Sequence, residues 1–344
     1  MIFEITIDQK EEWKGYVRRC ANYDFYHTWD YHSLDKSGEP MLFVYQEGDD
    51  FIAFPLLKRP IPNSNLFDLT SVYGYAGPFS NKKFDDLDET FLENFRYSFS
   101  DHLKSRKYIS VFTRLHPFLY QDKLMRRFGG VCIKGRTVAI DLTVSLEKQR
   151  EKYNKNVKYY IRKTKRKGYQ IKEARGLNEM LAFREIYLEN MKRIKAESSY
   201  LFSFQYFSDL LKAGDFDCKL MLVYDGETAI SGAIITCTNG IVQVHLIATK
   251  TDYLVDSPAK LLVDEISVMA RNAGMKYCHL GGGLGFKEDS LFAWKASFSD
   301  LFLSYNSWGY VANESAYNTL VAQNGISNRS SDFFPLYRSK QTSD

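Results

Sequence analysis

The sequence is poor in cysteine and has no pattern that would put its cysteines to work. The five are Cys20, Cys132, Cys218, Cys237 and Cys278, an odd number, widely spaced, with no C-x-x-C pair. That excludes a disulfide framework and a structural zinc site of the usual kind. Buried, reduced thiols are the expectation. No apolar run reaches the 18 or more residues that a membrane-spanning helix needs. The opening residues, 1–13, lack the basic stretch followed by an apolar core that marks a secretory signal. A cytoplasmic protein is therefore expected, and any membrane contact would be peripheral. Excess charge of one sign is also missing: 46 Lys and Arg face 42 Asp and Glu. A net charge of +4 does not describe a dedicated nucleic-acid binder. H-E-x-x-H, G-x-S-x-G and D-x-D-x-D-G are absent, and the six histidines have no metal-ligand spacing. The sequence thus predicts no metal centre and no tightly bound cofactor.

What is present is a chain of 344 residues, 44% hydrophobic and 15% aromatic. That length suits two domains, and that apolar content suits ordinary cores. Aromatics at this density fit concave sites for extended ligands as well as cores.

The order of elements repeats. In the first half, residues 2–7 alternate like a strand, and 8–20 read as a helix opened by Asp8, with Glu11 three positions on. Strands come next near 41–46 and 51–57 around Gly48-Asp49-Asp50, then strand-like sequence at 69–76. A helix over 86–105 leads to a short buried strand over 108–113, and a helix near 117–127 leads to a strand near 131–141. In the second half, a strand over 169–174 precedes helices over 177–195 and 204–213. Strands over 218–224 and 228–238 join at Asp225-Gly226, and Asn239-Gly240 is a strong hairpin signal leading into 241–249. A helix over 258–273 closes at Gly274, before a strand over 276–280. A weak internal duplication accounts for this order. The fold class expected is α/β (α+β): two tandem domains, 1–145 and 146–344, each a mixed, mostly antiparallel sheet flanked by helices.

Residues 148–172 hold eleven Lys or Arg and one acid, Glu151. Tyr153, Val157, Tyr160, Ile161 and Thr164 recur as one helical stripe. Lys155, Lys158, Arg162 and Lys165 lie on another face, and Gly168 is a good stop. This predicts a basic amphipathic helix over 148–168 opening the second domain. Cations packed so densely repel one another, so a phosphate-bearing partner fits: a tRNA backbone, a sugar-nucleotide diphosphate or a lipid pyrophosphate. A solvated linker helix accounts for it equally well.

Leu280-Gly281-Gly282-Gly283 comes after the last of these strands, where ligands tend to bind in open α/β sheets. Asp289 or Ser290 can cap a short helix that carries Lys295. A lysine there can stabilise the oxyanion formed at an attacked carbonyl, although position alone fits a surface lysine better. His245 lies within a strand pattern, a structural position or one facing a cleft.

These residues resemble the Fem family of aminoacyltransferases, above all its compact members. The segments that carry the resemblance are Phe25 to Tyr31, Tyr75-Ala76-Gly77-Pro78, Asn156 to Gly168, Pro258 to Ala270, and Leu280-Gly281-Gly282 followed by Asp289-Ser290-Leu291 and Trp294-Lys295. Their order and spacing carry more than any one piece. The resemblance implies tandem domains of the GNAT type and transfer of an aminoacyl group from aminoacyl-tRNA to an amine of a peptidoglycan precursor. It places the transition-state cation at Lys295 and phosphate contacts at Lys158 and Arg162, with Tyr75, His245, Asp289 and Ser290 around the substrate. Departures exist. Trp294 stands where the family has Phe, and the long helical arm of some members is missing. The segment Asp252–Pro258 lacks the Gly-rich loop of CoA-dependent acetyltransferases. An acyl-CoA-dependent N-acyltransferase acting on an amino sugar is the alternative, and a non-catalytic binder of RNA or anionic lipid a third reading.

Overall fold

A computed structural model describes residues 1–325 and 333–339. In chain order the elements are β1 (Ile2–Thr6), α1 (Lys10–Arg19), α2 (Trp29–Leu34), β2 (Glu39–Glu47), β3 (Asp50–Pro60), β4 (Phe67–Thr70), β5 (Phe79–Ser80), α3 (Glu89–Ser105), β6 (Tyr108–Arg114) and α4 (Asp122–Met125). They continue with β7 (Val131–Asp141), α5 (Leu146–Glu151), α6 (Lys155–Arg166), β8 (Gln170–Ala174), α7 (Leu177–Arg193), α8 (Phe204–Leu211), β9 (Asp217–Asp225), β10 (Thr228–Thr238) and β11 (Ile241–Thr249). The last are α9 (Pro258–Asn272), β12 (Tyr277–Gly281), α10 (Ser290–Ala296), β13 (Leu301–Val311) and α11 (Glu314–Gln323).

The chain forms two compact units, one of Met1–Lys134 with Ser304–Asp344, the other of Gly135–Leu303. This differs from the expected division at 145/146, because the end of the chain returns to the first unit. The reason is chemical. Asp68 of β4 is fully buried and accepts from the Tyr337 hydroxyl at 2.9 Å, Arg338 Nε at 2.6 Å and Arg59 Nε at 3.0 Å. Tyr317, Leu320, Val321 and Tyr337 pack on Ile61 and Ile109.

In the first unit the strand order is β1-β2-β3-β4-β6-β13, and only β4 and β6 run parallel; β5 adds to β3. In the second unit the order is β8-β9-β10-β11-β12-β7, and only β11 and β12 run parallel. The duplication expected from sequence is therefore real. Each unit has four antiparallel strands, a parallel step, and an antiparallel closing strand taken from elsewhere in the chain: β13 beside β6, and β7 beside β12. In the first unit, α3 lays Phe91, Phe95 and Phe99 on Phe43, Tyr45 and Phe54. In the second, α9 lays Leu261, Leu262 and Ile266 against Val242, Val244, Cys278 and Leu280.

Several expectations from sequence shift. The basic stretch is two helices, not one. Ser145 caps α5 and Asn154 caps α6 through the Val157 amide at 2.8 Å, while the Asn154 amide donates to Ser297 O at 2.9 Å. An Asn that satisfies a new helix start and is itself held from outside breaks the continuous helix. Asp8 does not cap α1. The strand expected over 69–76 stops at Thr70. Among the cysteines, Cys278 is buried but Cys132 is exposed, and all five are free thiols. Asn239 and Gly240 both have positive φ, at 45° and 83°, as the expected hairpin turn requires. No helix among the described residues is long and apolar enough to cross a membrane.

Candidate functional site

The second unit builds a site where its parallel strands part. β11 and β12 stay in register only from Ile241/Tyr277 to Gln243/His279. Beyond that point β11 runs on through His245 to Thr249, while β12 ends at Gly281. A turn with Gly281 at φ 77° then leads to Gly282 and Gly283. Gly283 admits no side chain: a Cβ there would lie 2.1 Å from Lys287 O and 2.3 Å from Asp289 Oδ1. The glycines thus let the chain close on its own Asp289.

Asp289 holds the turn and the next helix together. Its carboxylate accepts from the Phe292 amide at 2.9 Å, capping α10, and from the Leu284 amide at 3.0 Å. Burial alone would raise its pKa, but these amide bonds outweigh that and hold it below the usual carboxylate value. The cap is therefore Asp289; Ser290 is exposed at the first helical position. Phe292 and Phe298 enter the core of the unit, with Trp294 packed beside them. That anchoring turns Lys295 back towards the glycine turn, where its Nζ donates to Gly282 O at 2.6 Å. Burial pulls the Lys295 pKa down to about 8, against the raising influence of Asp289. A lysine of this kind stays mostly protonated at neutral pH yet gives up its proton far more readily than a free one.

His245 lies buried on β11, its Nε2 2.9 Å from the Tyr206 hydroxyl of α8. Two residues back on the same face, Gln243 Oε1 lies 2.6 Å from His279 Nδ1. Tyr206, Gln243 and His279 do not stand out in the sequence. The i, i+2 step of polar residues Gln243 and His245 inside an otherwise apolar strand is the one signal it offers.

α6 has two different ends. At the first, Asn154 is bonded to Ser297, two residues from Lys295, and the Lys158 ammonium donates to Glu151 O at 3.0 Å. At the other, Lys163 and Lys167 reach Asp256 at 2.9 and 2.6 Å, and Tyr169 donates to it at 2.7 Å. Burial alone would raise the Asp256 pKa, but these donors outweigh it and hold the carboxyl well below the usual range. Arg162 lines a depression of about 350 Å³ with Tyr159, Lys163, Arg166 and Lys167. In the turn before α9, Thr251–Asp256 forms a 3₁₀ helix, and Ser257 has φ 48°. Lys260, in the first turn of α9, bonds Asn156 and sits 4.3 Å from the Tyr160 ring.

Lys295, Asp289, Ser290, His245, Lys158 and Arg162 thus share one unit. Tyr75 belongs to the other, buried edge-on between Tyr26, His116 and Tyr305 at 5.6 to 6.3 Å between ring centres.

Residues 151–295 match the family model of the acetyltransferase (GNAT) domain, from α5 through to Lys295. That stretch of the second unit is similar to a GNAT domain. Three solved structures share the fold over nearly the whole chain. FemX is 12% identical, covering 93% of this chain and 99% of its own, with a TM-score of 0.71. The L-PGS of Bacillus licheniformis is 13% identical over 92% and 96%, at 0.59. A tandem GNAT protein from the clavulanic acid biosynthesis pathway is 8% identical over 91% and 99%, at 0.50. Comparison with curated protein sequences gives no match. The fold is that of the tandem GNAT acyltransferases, as the sequence led one to expect.

Proposed function

We propose that this acyltransferase moves an aminoacyl group from aminoacyl-tRNA to an amine of a phosphate-bearing cell-wall precursor. The observation that carries the reading is the part-buried ammonium of Lys295, fixed on Gly282 O just past the point where β11 and β12 part. In the reaction the amine nitrogen attacks the ester carbon. A C–N bond forms, the C–O bond to the ribose breaks, and the amine proton passes to the leaving oxygen. Negative charge builds on the carbonyl oxygen, and later on the ribose oxygen. A preorganised, partly desolvated cation stabilises both. Its pKa of about 8 also makes Lys295 a better acid towards the leaving oxygen than an ordinary lysine. The amine's own proton leaves through water or a substrate group and restores the one Lys295 gives up, so the net transfer is from amine to leaving oxygen; the rest of the rate is assigned to holding two large substrates together. Lys158, at the end of α6 nearest Lys295, is the cation we assign to an acceptor phosphate. His245 with Tyr206, the exposed Ser290 hydroxyl and, within the first unit, Tyr75 are proposed substrate contacts.

The turn before α9 favours the tRNA ester over a CoA thioester. Pyrophosphate at a helix N-terminus wants free backbone amides and cations. Here a 3₁₀ turn replaces a Gly-rich loop, and Lys163 and Lys167 already hold Asp256. The second reading, acyl-CoA-dependent N-acylation of an amino sugar, is favoured by the match to an acetyltransferase model. A donor screen decides between them. Purified protein is offered a cell-wall precursor with labelled aminoacyl-tRNA, and amino-sugar acceptors with labelled acetyl-CoA. Label moving only from tRNA supports the first reading. Label moving only from acetyl-CoA, with tight CoA binding, replaces it by the second.

A further inference from the structure

Half of the six cations of α6 are accounted for, as is Lys167 just past its end. Lys163 and Lys167 hold Asp256, Lys165 lies 3.0 Å from Glu265, and Lys158 donates to a carbonyl. Lys155, Arg162 and Arg166 have no acidic partner within bonding distance among the described residues. With Tyr159 they recur at i, i+4, i+7 and i+11, which places all four on one stripe of the helix. Tyr159 is 54% exposed. Arg162 and Arg166, one turn apart, open into the depression of about 350 Å³.

Next to that depression the chain exposes aliphatic side chains. Lys163, which lines it, donates to Val255 O at 3.3 Å. Val255 is 69% exposed and Leu254 37% exposed. They sit at the tip of the 3₁₀ turn Thr251–Asp256, whose base is fixed by Asp256. Burial of Asp256 leaves Asp252, exposed at the start of the same turn, as its acid facing solvent. A rigid turn that presents two neighbouring aliphatics beside a stripe of unpaired cations and an exposed tyrosine has the features of a surface that enters a lipid interface. Aliphatic groups partition among the acyl chains, tyrosine settles at headgroup depth, and guanidinium forks pair with lipid phosphates.

We infer that the Arg162–Arg166 face of α6, with the Leu254–Val255 tip, docks the protein on an anionic phospholipid surface. A nucleic-acid strand would use the cations and the tyrosine, but would leave Leu254 and Val255 unexplained. The docking does not depend on which acyl donor the protein uses. It presents the unit to an acceptor whose phosphate is attached to a lipid.

The test is sedimentation of the full chain with vesicles of phosphatidylcholine alone or mixed with phosphatidylglycerol. Binding to the mixed vesicles only, reversed by salt, is expected. Arg162→Glu with Arg166→Glu weakens it about tenfold or more. Leu254→Ser with Val255→Ser weakens it even at low salt, with the thermal melt and the binding of Lys295→Ala both as in the wild type. Failure to sediment with the mixed vesicles overturns the inference, as does equal binding by the double-Glu variant. It is also overturned if single-stranded RNA binds, loses affinity in the double-Glu variant and keeps it in the double-Ser variant, while vesicles do not bind.

Discussion

The Lys295 ammonium is hydrogen-bonded to the backbone carbonyl of Gly282 at 2.6 Å, and Asp289 acts on it only through space. A carbonyl holds a cation in place without neutralising it. The lysine keeps its positive charge free for the proposed role while the glycine turn fixes its direction. Lys295→Ala should therefore lower turnover about a hundredfold or more, the scale of losing one oxyanion stabiliser. Its circular dichroism should match the wild type. Wild-type turnover in this variant would remove Lys295 from the chemistry.

The pH profile carries the same claim in a second form. Burial disfavours the ammonium, so the folded protein releases this proton at about 8 instead of the ordinary 10.5. Activity that needs the cation declines as pH rises through about 8. Across that window the unfolded chain binds the extra proton, so the contribution of this group to stability rises with pH. Activity and this stability contribution move in opposite directions, which separates titration of the lysine from unfolding. Initial rates and denaturant midpoints measured at the same pH values check it.

Asp289 does two jobs that substitution can divide. Asn is as good a helix cap as Asp, so Asp289→Asn keeps α10 in place but removes the charge that supports the Lys295 ammonium. The alkaline limb of the rate profile should move to lower pH, at a stability cost of about 1 kcal/mol for the Leu284 amide bond that the single amide oxygen cannot also accept. Asp289→Ala loses the cap as well, at a cost of about 1 kcal/mol. Identical profiles for Asp289→Asn and the wild type would show that the charge does not reach the lysine.

The first unit depends on its distant end. Asp68→Ala leaves Arg59 and Arg338 without the buried carboxylate they share, and deprives the Tyr337 hydroxyl of its acceptor. Breaking a buried pair from one side costs about 3–5 kcal/mol, so the urea midpoint should fall sharply. A midpoint within error of the wild type would mean that the C-terminal segment adds little to the fold.

Local chemistry made much of the architecture legible. The strands over 228–238 and 241–249 end where β10 and β11 end, because Asn239-Gly240 fixes the turn between them. The core stripe of α6 is visible as Val157, Ile161 and Thr164, since period alone decides which side of a helix is apolar. The order of glycine turn, Asp289 and Lys295 shows a capped short helix carrying a lysine after a strand, although position alone fits a surface lysine better.

Contacts between residues far apart in the chain were decided only by folding. Nothing near Tyr337 announces that it bonds Asp68, so the return of the C-terminal segment to the first unit could not be read. The same holds for Asp256 drawing Lys163 and Lys167 away from the basic face, for His245 meeting Tyr206, and for the choice of Asp289 over Ser290 as cap. Periodicity and turn chemistry act over a few residues, so the sequence by itself determines them. Which charges remain unpaired, and what a part-buried lysine's proton costs, depend on neighbours brought close in space, and only the packed tertiary structure supplies them.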